Sequence, residues 1–89
     1  MATQDVTLTS AWQLIATAGD EFLLTLPPGG HRQVAVALSD TEQDPTVAGH
    51  RLLSQGEGLN RTLIGPGYVY ARSRSGVAVA AVLSAWTPS

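Results

Sequence analysis

Turn-forming residues interrupt this chain every 6–12 residues, and that spacing is the strongest constraint on what it can fold into. The breaks are Ser10-Ala11, Ala18-Gly19-Asp20, Pro27-Pro28-Gly29-Gly30, the aperiodic 39–49 stretch, Gln55-Gly56-Glu57-Gly58, Gly65-Pro66-Gly67 and Ser75-Gly76. Glycine admits the positive φ of tight turns and proline withholds a ladder donor, so neither helix nor strand runs through such clusters. The intervals are too short for a stable helix and long enough for strands. They also carry period-2 alternation. Val6 and Leu8 alternate in 5–9, Phe22, Leu24 and Leu26 in 21–26, and Val34, Val36 and Leu38 in 32–38. Trp12, Ile15 and Ala16 would permit a helix, but the Thr-rich surroundings favour a strand over 12–17. Further short strands are expected at 50–53 and 60–64, and 21–26 with 32–38 reads as a hairpin with a longer loop. The expected fold is all-β: a small β-sandwich or jelly-roll-like barrel of seven or eight short antiparallel strands. It is expected to be one domain over 1–89, with 1–4 and 87–89 as flexible tails.

The clearest strand signal lies between Gly65 and Leu83. Tyr68 to Ser73 is rich in aromatic and β-branched residues, Ser75-Gly76 suits a tight turn, and Val77 to Leu83 returns. A two-residue loop would pair Arg72 with Val79, Tyr70 with Ala81 and Tyr68 with Leu83, and would put Val69 against Val82 on the other face. Neither face is plainly polar, so the hairpin needs cover on both sides. The domain's own second sheet supplies one cover, and a neighbouring subunit would supply the other.

Composition supports assembly. At 89 residues the chain buries about 60–65% of its unfolded surface, a marginal fraction for a domain alone. It has no Cys to staple it, which leaves oligomerisation as a common remedy. Charged residues are 13%, against about 25% in ordinary domains, and interface cores are depleted in charge in the same way. All five basic residues are Arg, the cation favoured at protein contacts. Residues 1–44 carry −5 and residues 45–89 carry +3. Such a split serves head-to-tail contacts or is neutralised within one fold. A net charge of −2 argues against nucleic acid as partner. No run approaches the roughly 20 apolar residues of a membrane span, and no signal peptide is expected.

No constellation for catalysis stands out, so no enzyme activity and no cofactor are expected. His31 and His50 lie 19 residues apart without Cys, short of a zinc ligand set. Asp40-Thr41-Glu42-Gln43-Asp44 resembles the start of a calcium loop, but Pro45 occupies the obligatory glycine position and Arg51 the bidentate acid position. Gly56-Glu57-Gly58 lacks the rest of a dinucleotide fingerprint. What remains is a contact surface. Tyr68, Tyr70, Arg72 and Arg74 are of the types enriched at protein hot spots, and Asp40, Glu42 and Asp44 lie in an acidic, aperiodic 39–49 loop.

The segments Pro45-Thr46, Gly49-His50-Arg51-Leu52, Gly65-Pro66-Gly67-Tyr68-Val69-Tyr70-Ala71-Arg72-Ser73 and Gly76-Val77-Ala78 resemble small accessory structural proteins of tailed bacteriophages. The early Leu8-Thr9-Ser10-Ala11-Trp12-Gln13-Leu14-Ile15-Ala16 is similar to their N-terminal strand region. This resemblance implies a virion protein, made in the host cytoplasm, that decorates or cements a capsid. Its implied partners are copies of itself, as a trimer or other symmetric oligomer, and a major capsid protein or another virion protein. The alternatives are a tail or fibre module that binds a host glycan and a small soluble binding domain with the aromatic strands as its ligand face.

Overall fold

Eight strands form where the alternation lies. They are β1 (Ala2–Leu8), β2 (Gln13–Ala16), β3 (Glu21–Thr25), β4 (Gln33–Ser39), β5 (Arg51–Ser54), β6 (Gly58–Asn60), β7 (Tyr68–Ser73) and β8 (Val79–Trp86), with one helical turn, α1 (Arg61–Ile64), after β6. The computed structural model describes residues 2–30, 32–41, 51–64, 67–74 and 76–87. The strands pair antiparallel in two four-stranded sheets, ordered β1-β8-β3-β6 and β2-β7-β4-β5. Eight strands split in this order form a jelly roll.

One face of each strand fills the space between the sheets. Leu8, Phe22, Leu24, Leu59, Val79, Ala81 and Leu83 come from the first sheet; Ile15, Ala16, Val34, Val36, Leu53, Val69 and Ala71 come from the second. Leu26, fully buried just beyond β3, extends this core. Burying each of the larger side chains contributes about 1.5–3 kcal/mol relative to exposure.

The connections differ from the sequence expectation. Of the seven consecutive strand pairs, only β4 and β5 are neighbours in one sheet. Residues 21–26 and 32–38 do not form a hairpin, because β3 and β4 lie in opposite sheets. The Pro-Pro-Gly-Gly break between them is an arch, clipped to the β5–β6 turn beside it. Leu26 N–H donates to the Glu57 carbonyl at 2.9 Å, and Gly56 N–H donates back to Leu26 at 2.7 Å.

The 68–83 hairpin is likewise replaced by an arch. β7 sits between β2 and β4, and β8 between β1 and β3. Tyr68 therefore faces Ser39 rather than Leu83, and Arg72 faces Ala35 rather than Val79. Ser73 explains the divergence. Its N–H donates to the Thr9 carbonyl at 2.7 Å, and its buried hydroxyl donates to the Val77 carbonyl at 2.6 Å, which turns the chain across the core edge. Gly76 takes the expected positive φ, 77°, within this longer connection.

Smaller corrections follow. Residues 2–4 are paired strand rather than a tail, and Trp86 closes β8. The strand expected at 60–64 is instead the end of β6 followed by α1.

Candidate functional site

The two outward faces of the sandwich differ. Directly opposed residues on antiparallel strands share a face, so the core residues fix which side chains point out. The first sheet turns out Thr3, Asp5, Thr7, Ala80, Val82, Ser84, Trp86, Glu21, Leu23 and Thr25. This is mostly a small-polar face, with Thr3 and Ser84 hydrogen-bonded at 2.8 Å.

The second sheet turns out a face with little polarity. Leu14, Tyr70 and Ala37 form one row across β2, β7 and β4, and Arg72, Ala35 and Leu52 form the next across β7, β4 and β5. Tyr68 stands opposite Ser39. Ala35 and Ala37 are a floor between larger neighbours, 1% and 0% exposed, while Leu14 and Leu52 stand up at 38% and 45%. Trp12 joins the face by stacking on Arg72, whose guanidinium carbon lies 5.1 Å from the ring centroid. Arg74 closes the lower end, donating to Gln33 Oε1 at 3.0 Å.

Arginine supplies the charge on this face. None of Arg32, Arg51, Arg72 and Arg74 pairs with a carboxylate among the described residues. The Nε of Arg72 is buried and makes no hydrogen bond, which costs free energy in the chain by itself. Asp5 and Glu21 lie on the first outer face and Arg72 and Arg74 on the second, while Asp40 follows β4 of the second sheet.

The expected contact residues fall unequally on this map. Tyr68, Arg72 and Arg74 lie on or beside the outer face of the second sheet. Tyr70 points to the same side but is 4% exposed, so it belongs to the folded chain and not to an open contact. Asp40 is exposed just after β4; Glu42, Asp44, His31 and His50 lie outside the described residues. Trp12, Leu14 and Leu52 are members that sequence reasoning missed. The Trp12-x-Leu14 alternation was a signal for two of them; for Leu52, in the adjacent pair Leu52-Leu53, alternation alone did not say which side chain turned in.

A second polar cluster is structural. Arg61 donates to the carbonyls of Asp20, Thr17 and Gly67 at 2.8, 2.8 and 2.7 Å, and its guanidinium lies 5.3 Å from the Phe22 ring centroid. Asp20 accepts from Thr17 Oγ1 at 2.6 Å and from Thr87 Oγ1 at 3.0 Å. These two hydrogen bonds, with the Arg61 charge behind them, hold its carboxyl below the usual range against the opposing effect of burial. Among the described residues, no three of His, Cys, Asp and Glu gather as metal ligands. No family model, curated protein or solved structure matches the chain.

Proposed function

We propose that the protein is a non-enzymatic structural subunit that works by docking the outer face of its β2-β7-β4-β5 sheet on another protein. The setting is the one implied by the resemblance, a capsid decoration or cement subunit of a tailed-phage virion. The observation that carries this reading is the composition of that face: Trp12, Leu14, Leu52 and Tyr68 around Arg72, with Arg74 beside it and, among the described residues, no carboxylate paired with the two cations. Aromatic and Arg side chains over a small-residue floor are the composition of protein hot spots. The unpaired cations select an acidic counter-surface and speed encounter with it. The jelly roll is shared by viral capsid and lectin domains and by itself assigns neither role.

Sedimentation with isolated capsids tests this. Trp12→Ala and Arg72→Ala are expected to weaken capsid binding about 30-fold each, the scale of a 2 kcal/mol hot spot. Capsid binding that ignores both substitutions, or no capsid binding by the wild-type chain, sinks the proposal. A second reading, attachment to a host glycan, is favoured by the Trp12–Arg72 stack, since aromatic faces hold sugars as well as side chains. Glycan binding lost in the same two variants, without affinity for capsids, would select it.

A further inference from the structure

The two sheets end in four edge strands, β1 and β6 in the first and β2 and β5 in the second. An edge offers unpaired N–H and C=O groups, and folds blunt edges by shortening, bulging or charging them. Three of the four are blunted here. β6 has 3 residues and runs into α1; β2 has 4 and its register shifts between Leu14 and Ala16; β5 has 4 and begins at the exposed Arg51. β1 is different. It keeps an unbroken register with β8 over 7 residues, contains no Pro, and carries one charge, Asp5. Among the described residues nothing bonds to its free side.

We propose that β1 is a strand-addition site for β1 of a second copy, antiparallel about a two-fold axis, which fuses two first sheets into one. This goes beyond the docking face of the other sheet and rests on a different part of the molecule. Pairing rules narrow the register. When two-fold-related antiparallel strands keep their faces aligned, one residue sits opposite its own copy. Full overlap makes that residue Asp5 and sets two carboxylates against each other, which is unfavourable. Centring on Gln4 puts Asp5 opposite the second copy's Thr3, and centring on Val6 puts it opposite the second copy's Thr7; either offers the carboxylate a hydroxyl donor. The Gln4-centred register sets Val6 opposite the smaller Ala2, whereas the Val6-centred register sets two Val side chains opposite each other. Val6 is partly buried against the core, and its own copy would continue that seam. An edge contact of this length is small beside the ~1,200–2,000 Å² of stable interfaces. It is therefore weak in dilute solution and gains where a shared surface holds copies together.

The chain has no Cys, so single cysteines report the register directly. Gln4→Cys, Asp5→Cys and Val6→Cys are oxidised at concentrations up to about 1 mM, where a contact this small becomes populated. Disulfide dimer is expected at least ~10-fold faster from Val6→Cys than from the other two, since only that pair would lie within disulfide reach. In sedimentation equilibrium of the Cys-free chain, Thr7→Asp is expected to raise the dimer dissociation constant about 10-fold by facing Asp5 with a like charge, and Thr7→Lys to lower it. A wild-type chain monomeric at that concentration overturns the proposal. So does equal crosslinking at the three positions. A dimer lost on Trp12→Ala but unmoved by Thr7→Asp would also overturn it, assigning self-association to the second sheet. Capsid binding is read independently of all these outcomes.

Discussion

Arg61 ties together three stretches that sequence distance keeps apart: the β2–β3 turn, α1 and the approach to β7. Its guanidinium reaches three carbonyls because α1 lifts the chain off β6 beside the Thr17–Asp20 turn. Hydrogen bonds from a charged donor are worth more than neutral ones, and these are half-shielded from water. Arg61→Ala is expected to cost about 2–3 kcal/mol, or roughly 10–20 °C in Tm, with Arg61→Lys in between because an ammonium lacks the planar fork. A thermal melt in which Arg61→Ala matches wild type would refute this. Asp20 makes a separate, pH-dependent contribution. Its folded-state pKa is lowered from the ordinary carboxylate value, chiefly by the hydrogen bonds from Thr17 and Thr87, so on acidification the unfolded chain takes up this proton first. The stabilisation is complete above the unfolded pKa, about 4, and is lost as pH falls through the folded value. Urea midpoints measured from pH 7 down to pH 3 should therefore fall more for wild type than for Asp20→Asn; parallel curves would show that the carboxylate is not coupled to folding.

At the scale of elements, the strands were legible and their partners were not. Alternation places Phe22, Leu24, Val34 and Val36 in the core whichever strands flank them. An arch and a hairpin, however, use the same turn chemistry: Gly76 has φ 77° here and would serve a tight turn as well. The sequence did contain a warning. The two-residue loop sets Val79 and Ala81 beside Arg72 and Tyr70, which places core side chains on the face of a cation. Sending β7 and β8 to opposite sheets removes that conflict: Val69 and Ala71 then turn inward from one side, Val79 and Ala81 from the other. The outer face of the second sheet was half legible for the same reason. Tyr68, Arg72 and Arg74 follow from alternation along β7 and its continuation, but Trp12, Leu14 and Leu52 join them only through lateral pairing with β2 and β5. Asp20 and Arg61 looked unremarkable in sequence because backbone carbonyls, which no side-chain motif encodes, are the partners of Arg61.

At the scale of the whole molecule, the topology governs how the chain folds. Six of the seven successive strand pairs belong to different sheets, so early local pairing has little to work with. The exception, β4 with β5, must first close the connection between Ser39 and Arg51. β1 meets β8 from the far end of the chain, with Ala2 opposite Ala85, so the first sheet is completed only when both termini arrive. Loop-closure entropy must be overcome before these pairings return any stabilisation, and domains dominated by non-local contacts fold on a scale of milliseconds to seconds. The main refolding phase is therefore expected in that range and slower than about 10 ms in water, with a transition state that buries most of the native surface. Stopped-flow tryptophan fluorescence suits the measurement, because Trp12 and Trp86 report from different sheets. Single-tryptophan variants should give the same rate constant, since neither sheet has a closed core without the other. A fast phase on one tryptophan alone would show that its sheet folds first, contrary to the cooperativity these crossings impose.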